Sequence, residues 1–482
     1  MASIKKNFAY SSILTISGYI FPLITFPYVT RVLGVANIGI YNFVDSTISY
    51  FSVIALLGIN TVGIREIAKA KGNKDKLSNV YSSLLCLNLI TTILAIIVLL
   101  LMTILVPKFH EHQEMFYIGT ARLLFNSLLI EWLYRGLENF KYITNRSILV
   151  KCIYVAAVFI FVREKNDYVV YYLLTVLTFV VNAFINLIYS RRFVSFSLKG
   201  ISIKPFIAPF LILGFYQILT SMYISFNVTF LGIKCGEIEV GYYTTATKLY
   251  AVIISFFSAF TWVMLPRLSS IVENNDMNEF KRLINKSIDA LLAFVMPVIV
   301  ITELYAPQII RIIAGEGYEG AVIPMRIVMP LMLLIGYEQV IITQMLSPLK
   351  KDKAILINSL AGATVAMILN FLIVPKLASI GTSIVWVAAE IAVTISAQLF
   401  VYKYIKYQLP AKKILLRIGS IIPVLLLCIY LDKFIYNSYI MMVLGSFLTF
   451  VYYFILENFL FKNEVITSNV TSIKIKCGRL FH

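Results

Sequence analysis

Two cationic side chains lie inside long apolar stretches of this 482-residue sequence. Arg122 stands in FYIGTARLLFNSLLIEWLYRG without an acidic residue one helical turn away, and Lys248 stands in YYTTATKLYAVIISFFSAF. At bilayer depth such a charge costs about 2.5 to 3.5 kcal/mol, so it normally faces a cavity or a partner. Both side chains are candidates for contacts with an anionic or hydroxyl-rich substrate. Asp45 is also a cavity candidate, because it could face Lys248 across the bundle interface as a cavity group or as a gate. Two alternatives stay open: an ion pair with an acid on another helix, including a purely structural pair of Asp45 and Lys248, or snorkelling of Arg122 to the interface.

Three acidic residues also fall in apolar stretches, namely Asp289, Glu338 in IGYEQV and Glu390 in WVAAEIA. Buried carboxyl groups bind protons more tightly, and acids at membrane depth can carry a coupling proton or cation. The same three residues could instead pair with Arg122 or Lys248. The sequence alone does not choose a proton carrier among them.

Four further arginines stand near the ends of apolar segments. They are Arg31 in VTRVLG, Arg65 in GIREIA, Arg267 in LPRLSS and Arg326 in IPMRIV. Each is a candidate for contact with a substrate headgroup at a cavity mouth. The alternative is an interfacial anchor that fixes the orientation of its helix.

Several other function classes are excluded by missing motifs. The five cysteines are scattered without paired metal-ligand spacing, and we predict no metal site at His110 and His112. The sequence has no nucleotide-phosphate loop, zinc motif or nucleophile triad, so we expect neither an enzyme nor a cofactor. The net charge of +18 is spread over short loops, which argues against a nucleic-acid partner.

The elements that position these residues are predicted to be membrane-spanning helices. The chain is 60% hydrophobic and 14% charged, with a mean hydropathy of +0.85, more apolar than one soluble core can hide. Because about 20 helical residues cross the hydrocarbon layer, fourteen apolar segments can be marked between residues 8 and 461. The fifth and thirteenth are short or interrupted, so twelve spans is the alternative.

The distribution of basic residues predicts the orientation of these segments. With a cytoplasmic N-terminus, lysine and arginine concentrate in the cytoplasmic loops, and only Arg122, Lys248 and Arg326 fall inside or at the edge of a segment. The first segment lacks a small-residue cleavage site and is predicted to be retained. Its Pro22 and Pro27 predict a bend, movable or static.

An internal repeat divides the sequence. Gly39, Tyr41 and Arg65 match Gly241, Tyr243 and Arg267, each 202 positions later, in the second and eighth segments. These two segments are six apart and cross the membrane in the same direction. A parallel repeat of this kind implies two helical bundles related by an axis along the membrane normal, which lets one rock against the other. Chance similarity between two apolar helices is the alternative.

The stretch FPYVTRVLGVANIGIYNFVDSTISYFSVIALLGINTVGIREIAKAKGNKDKLS resembles polysaccharide flippases of the multidrug, oligosaccharidyl-lipid and polysaccharide exporter superfamily. The shared features are a proline-containing first span, an RVLG turn, G-x-Y, a mid-helix YF and G-x-R-x-IA. The resemblance continues in YYTTATKLYAVIISFFSAFTWVMLPRLSS. The resemblance covers essentially the first twelve spans and implies two six-helix bundles facing a central cavity, with a sugar chain on a polyprenyl pyrophosphate carrier as substrate. With the apolar segments, this predicts an all-α protein in which a C-terminal helix pair follows the two bundles.

From this resemblance we expect a flippase that moves undecaprenyl-pyrophosphate-linked oligosaccharide to the periplasmic leaflet by alternating access through a cationic cavity. A cation-coupled multidrug exporter and a peptidoglycan-precursor flippase are the alternatives. Coupling to a proton or sodium gradient or to the membrane potential is expected. A monomer in the bacterial inner membrane is expected, in contact with lipid and with a polysaccharide polymerase and chain-length regulator as partners.

The predicted domain boundaries follow the repeat. They are 1–204 for the N-terminal six-helix bundle, 205–408 for the C-terminal six-helix bundle, and 409–482 for an extra helix pair and cytoplasmic tail.

Overall fold

The computed structural model describes residues 4–197, 200–222, 225–463 and 467, and its regular structure is helical. In chain order the helices are α1 Ile4–Leu56, α2 Ile59–Ala70, α3 Lys74–Leu105, α4 Pro107–Glu111, α5 Gln113–Ser127, α6 Glu131–Gly136, α7 Phe140–Phe161, α8 Tyr168–Ser190, α9 Lys204–Ser221, α10 Ser225–Cys235, α11 Glu237–Glu273, α12 Met277–Ala314, α13 Val322–Val328, α14 Leu331–Gln339, α15 Asp352–Ile405, α16 Ala411–Gly419, α17 Ile421–Asp432 and α18 Ser438–Ile455. Short 3-10 or π segments cover Lys165–Asp167, Glu319–Ala321, Val340–Leu346 and Leu456–Leu460. The predicted all-α fold is confirmed.

Ten helical stretches among the described residues are long and apolar enough to cross a membrane, or eleven with the bent pair α9 and α10. Two of them are too long for a single pass. At 1.5 Å per residue the 53 residues of α1 extend about 80 Å, far beyond a hydrocarbon layer of about 30 Å. The helical path breaks at Gly34 in α1 and at Ala378 in α15, both with positive φ. With α1 and α15 counted twice, and α5 as a short pass, the described helices account for the fourteen predicted segments.

The break in α1 does not coincide with its prolines. Pro22 and Pro27 lie inside the helix, whereas Gly34 has a φ of 75° and a ψ of 171°. This conformation is easily reached only by glycine, which has no Cβ. The RVLG motif therefore marks the turn between the first and second spans.

The first of two compact units comprises Met1–Thr244, Ala314–Tyr318 and Ala366–Thr382. Its core holds Trp132 and Tyr134 of α6 against Leu84 of α3 and Ile143 of α7. A second cluster joins Val29 and Leu33 of α1 to Val158 at the end of α7.

Two polar side chains in this unit hold the turns that follow long helices. Asn37 of α1 donates to the Lys165 carbonyl at 2.6 Å, between α7 and α8. Glu239 of α11 accepts hydrogen bonds from Ser379 Oγ at 2.5 Å and Ser379 N at 3.1 Å, beside the break in α15. Glu239 stands 202 positions after Asn37, so equivalent residues of the repeat support equivalent turns.

The second unit comprises Thr245–Ile313, Glu319–Val365 and Ser383–His482. Its α12 buries Leu291, Leu292 and Met296. A buried ion pair between Arg417 of α16 and Glu457 at the end of α18, 2.7 Å, joins the last helices. The predicted boundaries after residues 204 and 408 stay a prediction, and most of the predicted tail lies outside the described residues.

Candidate functional site

An ion pair between two of the predicted apolar segments is the central feature of the first unit. Arg122 of α5 contacts the Asp45 carboxylate of α1 through Nη1 and donates from Nη2 to Ser49 Oγ at 3.0 Å. The side chains are 12% and 26% exposed, and Arg122 Nε has no hydrogen-bond partner. The buried guanidinium therefore keeps one unused donor, and an arginine fork can bind a phosphate or a hydroxyl group.

Tyrosines surround this pair. Tyr41 and Tyr154 each direct a hydroxyl at Thr175 Oγ1, at 3.5 and 3.3 Å. The Tyr41 ring packs on Tyr171 and Tyr172 with centroid separations of 4.5 and 5.9 Å.

The guanidinium of Arg122 lies 4.9 Å from the centroid of the Phe179 ring, in a cation–π contact. The tyrosine hydroxyls and the aromatic rings give the cluster both hydrogen-bonding and stacking groups, which suit a sugar as well as an anion.

The structure identifies Arg122 as a partner of Asp45. That Asp45 also faces Lys248 stays a prediction. Lys248 belongs to the part of α11 in the second unit, where it is half-buried.

Two cations in α7 were missed. Lys151 was counted with a cytoplasmic loop, but it lies inside the candidate span Phe140–Phe161, where its Nζ donates to Ser17 Oγ at 2.9 Å. Arg146 is buried and pairs with Glu131 at 2.7 Å, while its Nε and Nη1 have no hydrogen-bond partner. A cavity of about 200 Å³ adjoins Glu131 and Arg135. The available signal was the position of Lys151 within the fifth predicted apolar segment, residues 147 to 162.

The four arginines near segment ends are all exposed. Arg31 donates to the Pro27 carbonyl at 2.5 Å, and Arg326 donates to the Glu303 carbonyl at 3.1 Å. Arg65 pairs with Glu66 at 2.8 Å, and Arg267 lies 3.8 Å from Glu279. Their role in contacting a headgroup stays a prediction.

The candidate coupling acids differ in their surroundings. Asp289 is held by Lys413 at 2.9 Å and by Arg417 at 3.3 Å. Glu338 of α14 and Glu390 of α15 instead lie within hydrogen-bonding reach of each other. Trp386 Nε1 donates to Glu390 Oε1 at 3.0 Å, but Glu390 Oε2 has no partner while both groups are carboxylates. A proton on one of them would complete the bond. The π segment Val340–Leu346 begins directly beyond this pair, and such segments are frequent at functional sites.

One cluster has the residue types of a metal site. Ligand atoms of Glu111, His112 and Glu237 lie within 4.8 Å of one another. Lys108 Nζ contacts Glu237 and lies 2.9 Å from Glu111 Oε2. Burial alone lowers the pKa of Lys108, but the bonds to Glu237 and Glu111 outweigh it and raise that pKa above its usual value. A metal ion would have to displace this ammonium.

Sequence comparisons match the chain to proteins of polysaccharide biosynthesis. The profile of the family described as "Polysaccharide biosynthesis protein" matches residues 4–272. A protein of Escherichia coli (strain K12) named "Putative O-antigen transporter" is 27% identical over 406 residues, covering 83% of this chain and 97% of the relative. A protein of the same name from Shigella dysenteriae is 27% identical over 276 residues, covering 55% and 68%. These relatives are described as transporters and not as enzymes.

Solved structures share the fold. The lipid II flippase MurJ, in an inward closed conformation, superposes with a TM-score of 0.77 at 14% identity, covering 93% of this chain and 98% of that one. An inward-facing multidrug resistance transporter of the MATE family, in the MOP superfamily, gives a TM-score of 0.64 at 16% identity, covering 81% and 97%. At these identities the likeness establishes a polytopic transporter fold.

Proposed function

Because this chain belongs to the polysaccharide biosynthesis protein family, whose profile covers residues 4–272, we propose that it flips undecaprenyl-pyrophosphate-linked oligosaccharide repeat units from the cytoplasmic to the periplasmic leaflet. The family match confirms the resemblance drawn from the quoted motifs. The chain is a multi-pass membrane protein, and its relatives carry the name "Putative O-antigen transporter". Its proposed place is the bacterial inner membrane, with a cytoplasmic N-terminus, as a monomer that hands its product to a polymerase and chain-length regulator.

The ion pair of Arg122 and Asp45 is the observation that carries this proposal. An arginine inside a span is costly, and its neighbours here are a carboxylate, Ser49 and tyrosines. A pyrophosphate offers the guanidinium the same planar, two-oxygen contact that a carboxylate does. Asp45 therefore holds Arg122 in place until the headgroup replaces it, while the tyrosines contact sugar. The polyprenyl tail stays in lipid throughout.

We propose the membrane potential as one driving force. A headgroup with roughly two negative charges gains about 4 to 5 kcal/mol at 100 mV when it leaves a negative cytoplasm, from about 2.3 kcal/mol per charge. Coupling to protons is proposed through Glu338 and Glu390, because two adjacent buried carboxyls can hold one proton between them. The pair would bind a proton when it is accessible from one side of the membrane and release that proton when it is accessible from the other side.

Proteoliposomes with fluorescently labelled, lipid-linked oligosaccharide test the proposal. A potassium gradient with valinomycin sets the potential, and membrane-impermeant quenching of the label reports the leaflet. We expect flipping that accelerates when the compartment receiving the headgroup is positive, and that Arg122→Gln slows. Failure of the wild-type protein to move this substrate would overturn the proposed function. Movement that ignores the potential would overturn only the driving force.

A further inference from the structure

A basic pocket and an apolar groove lie along one face of α12. Arg282, Lys286 and Asp289 follow each other at spacings of three or four residues, and Ala293 and Pro297 continue the series. Residues at this spacing share one face of a helix. The step from Asp289 to Ala293 is about 6 Å along the axis. The same face therefore changes from charged to apolar within little more than one turn.

The basic pocket has a volume of about 200 Å³ and lies in the second unit. Its lining residues are Arg282, Asn285, Lys286, Asp289, Lys413 and Lys462. Four cationic side chains thus accompany one carboxylate. Salt bridges to Asp289 and Glu279 engage Lys413 and Arg282, at 2.9 and 2.7 Å. Among the described residues that line the pocket or pair with its lining, positive charge is in excess even with Glu279 included, which suits an anionic group.

The apolar groove lies farther along the same helix, between α12 and α18, and has a volume of about 480 Å³. On the α18 side the rings of Phe447, Phe450 and Phe454 are 64%, 52% and 51% exposed. Tyr453 also lines the groove, with its side chain almost fully buried. A groove lined by exposed aromatic rings fits a hydrocarbon chain.

Buried polar contacts fix the wall opposite α12. Arg417 binds Glu457 at 2.7 and 3.0 Å and lies 4.4 Å from the centroid of the Phe461 ring. Asn463 donates to Glu457 Oε2 and to the Asp289 carbonyl, both at 2.9 Å. These contacts therefore fix the positions of the pocket and the groove relative to each other.

We propose that this face binds an anionic glycerophospholipid, with the phosphate between Lys286, Lys413 and Lys462 and an acyl chain in the groove. Basic pockets between membrane helices bind anionic lipid headgroups in this way. Acyl chains surround the groove in any bilayer, so the headgroup charge selects the lipid. The site is separate from the Arg122 cluster, and its existence does not depend on the proposed transport activity.

Native mass spectrometry of the purified full chain tests this site. The protein is released from nanodiscs containing equal amounts of phosphatidylglycerol and phosphatidylcholine. We expect preferential retention of phosphatidylglycerol. The double variant Lys286→Gln with Lys462→Gln should lower that preference about thirtyfold, from about 1 kcal/mol per lysine. Lys403→Gln, which removes an exposed cation at the end of α15, should leave it unchanged.

A second variant tests the groove without altering charge. Val298→Trp places a bulky ring among the groove residues and should reduce retention of both lipids. Equal retention of the two lipids by the wild-type protein would overturn the proposal. A loss of the phosphatidylglycerol preference in Lys403→Gln equal to that in the double variant would overturn it as well. Preference for an added polyprenyl phosphate over phosphatidylglycerol would also overturn it and would assign the site to a carrier lipid.

Discussion

Gly39 and Gly241 pack reciprocally. A Cβ added to Gly39 would meet the carbonyl oxygen of Glu237, and one added to Gly241 would meet the carbonyl oxygen of Val35. Glu237 follows Val35 by 202 positions, as Gly241 follows Gly39. Each glycine therefore contacts the same position of the other repeat, as in contacts about a two-fold axis. The close approach of α1 and α11 requires glycine at both positions.

Alanine at either glycine should separate these helices. We expect Gly39→Ala and Gly241→Ala each to destabilise the protein by about 1 to 3 kcal/mol, the usual cost of overpacking. The measurement is thermal unfolding of the detergent-purified protein. Gly419→Ala is the control, because a Cβ there has no atom within 4 Å. Unfolding of all three variants at the wild-type temperature would contradict the close approach of α1 and α11.

The features that could be predicted from the sequence were those that appear as runs or repeats along the chain. Hydropathy located the spans because each needs a continuous run of apolar residues. The glycines of the repeat were visible as well, and the structure gives them a packing role. The partner of Arg122 was not predictable, because Asp45 lies 77 positions away and no local spacing connects them. For the same reason the contact between Glu338 and Glu390 was not foreseen, although both residues were singled out.

Lys151 shows a different limit. The prediction of orientation assigned it to a loop because basic residues are expected there. Its hydrogen bond to Ser17 places it against α1 instead. A cation that bonds to a neighbouring helix and a cation that records topology look alike in sequence.

The ion pair of Arg122 and Asp45 should separate stability from transport. Asp45→Asn leaves a buried guanidinium without its counter-charge, and we expect a loss of about 3 kcal/mol. The double variant Asp45→Asn with Arg122→Gln removes both charges and should recover most of that stability. It should not recover flipping, because the phosphate contact is gone.

Thermal unfolding and the proteoliposome assay, run on the same preparations, measure the two properties. Lys69→Gln is the control for stability, since that side chain is 61% exposed and should change unfolding by no more than about 0.5 kcal/mol. Full transport by the double variant would limit Arg122 to a structural role.

Lys108 should make a contribution to stability that depends on pH. It lies outside the candidate spans, and its pKa is raised because its bonds to Glu237 and Glu111 outweigh burial. A raised pKa means that the contribution is complete below the usual value near 10.5 and is lost as the pH rises through the folded-state pKa. Lys108→Met should therefore unfold at a lower temperature than wild type at neutral pH, and the difference should shrink in strong alkali.

Thermal unfolding across a pH series checks this expectation. Lys433→Met is the control, because Lys433 is exposed. A difference between Lys108→Met and wild type that stayed constant up to strong alkali would contradict the assignment of the charge to this lysine.

The adjacent carboxyls of Glu338 and Glu390 should give flipping its dependence on pH. Two carboxylates repel, whereas one protonated carboxyl and one carboxylate share a hydrogen bond. In Glu390→Gln the amide donates permanently to Glu338, so the pair no longer needs a proton. We expect a stable protein whose flipping rate is several-fold lower and no longer follows an imposed proton gradient.

The measurement is flipping in proteoliposomes with and without that gradient. Glu273→Gln, at the exposed end of α11, should respond to the gradient as wild type does. A wild-type protein indifferent to the gradient, or a Glu390→Gln variant that still follows it, would remove the pair from coupling.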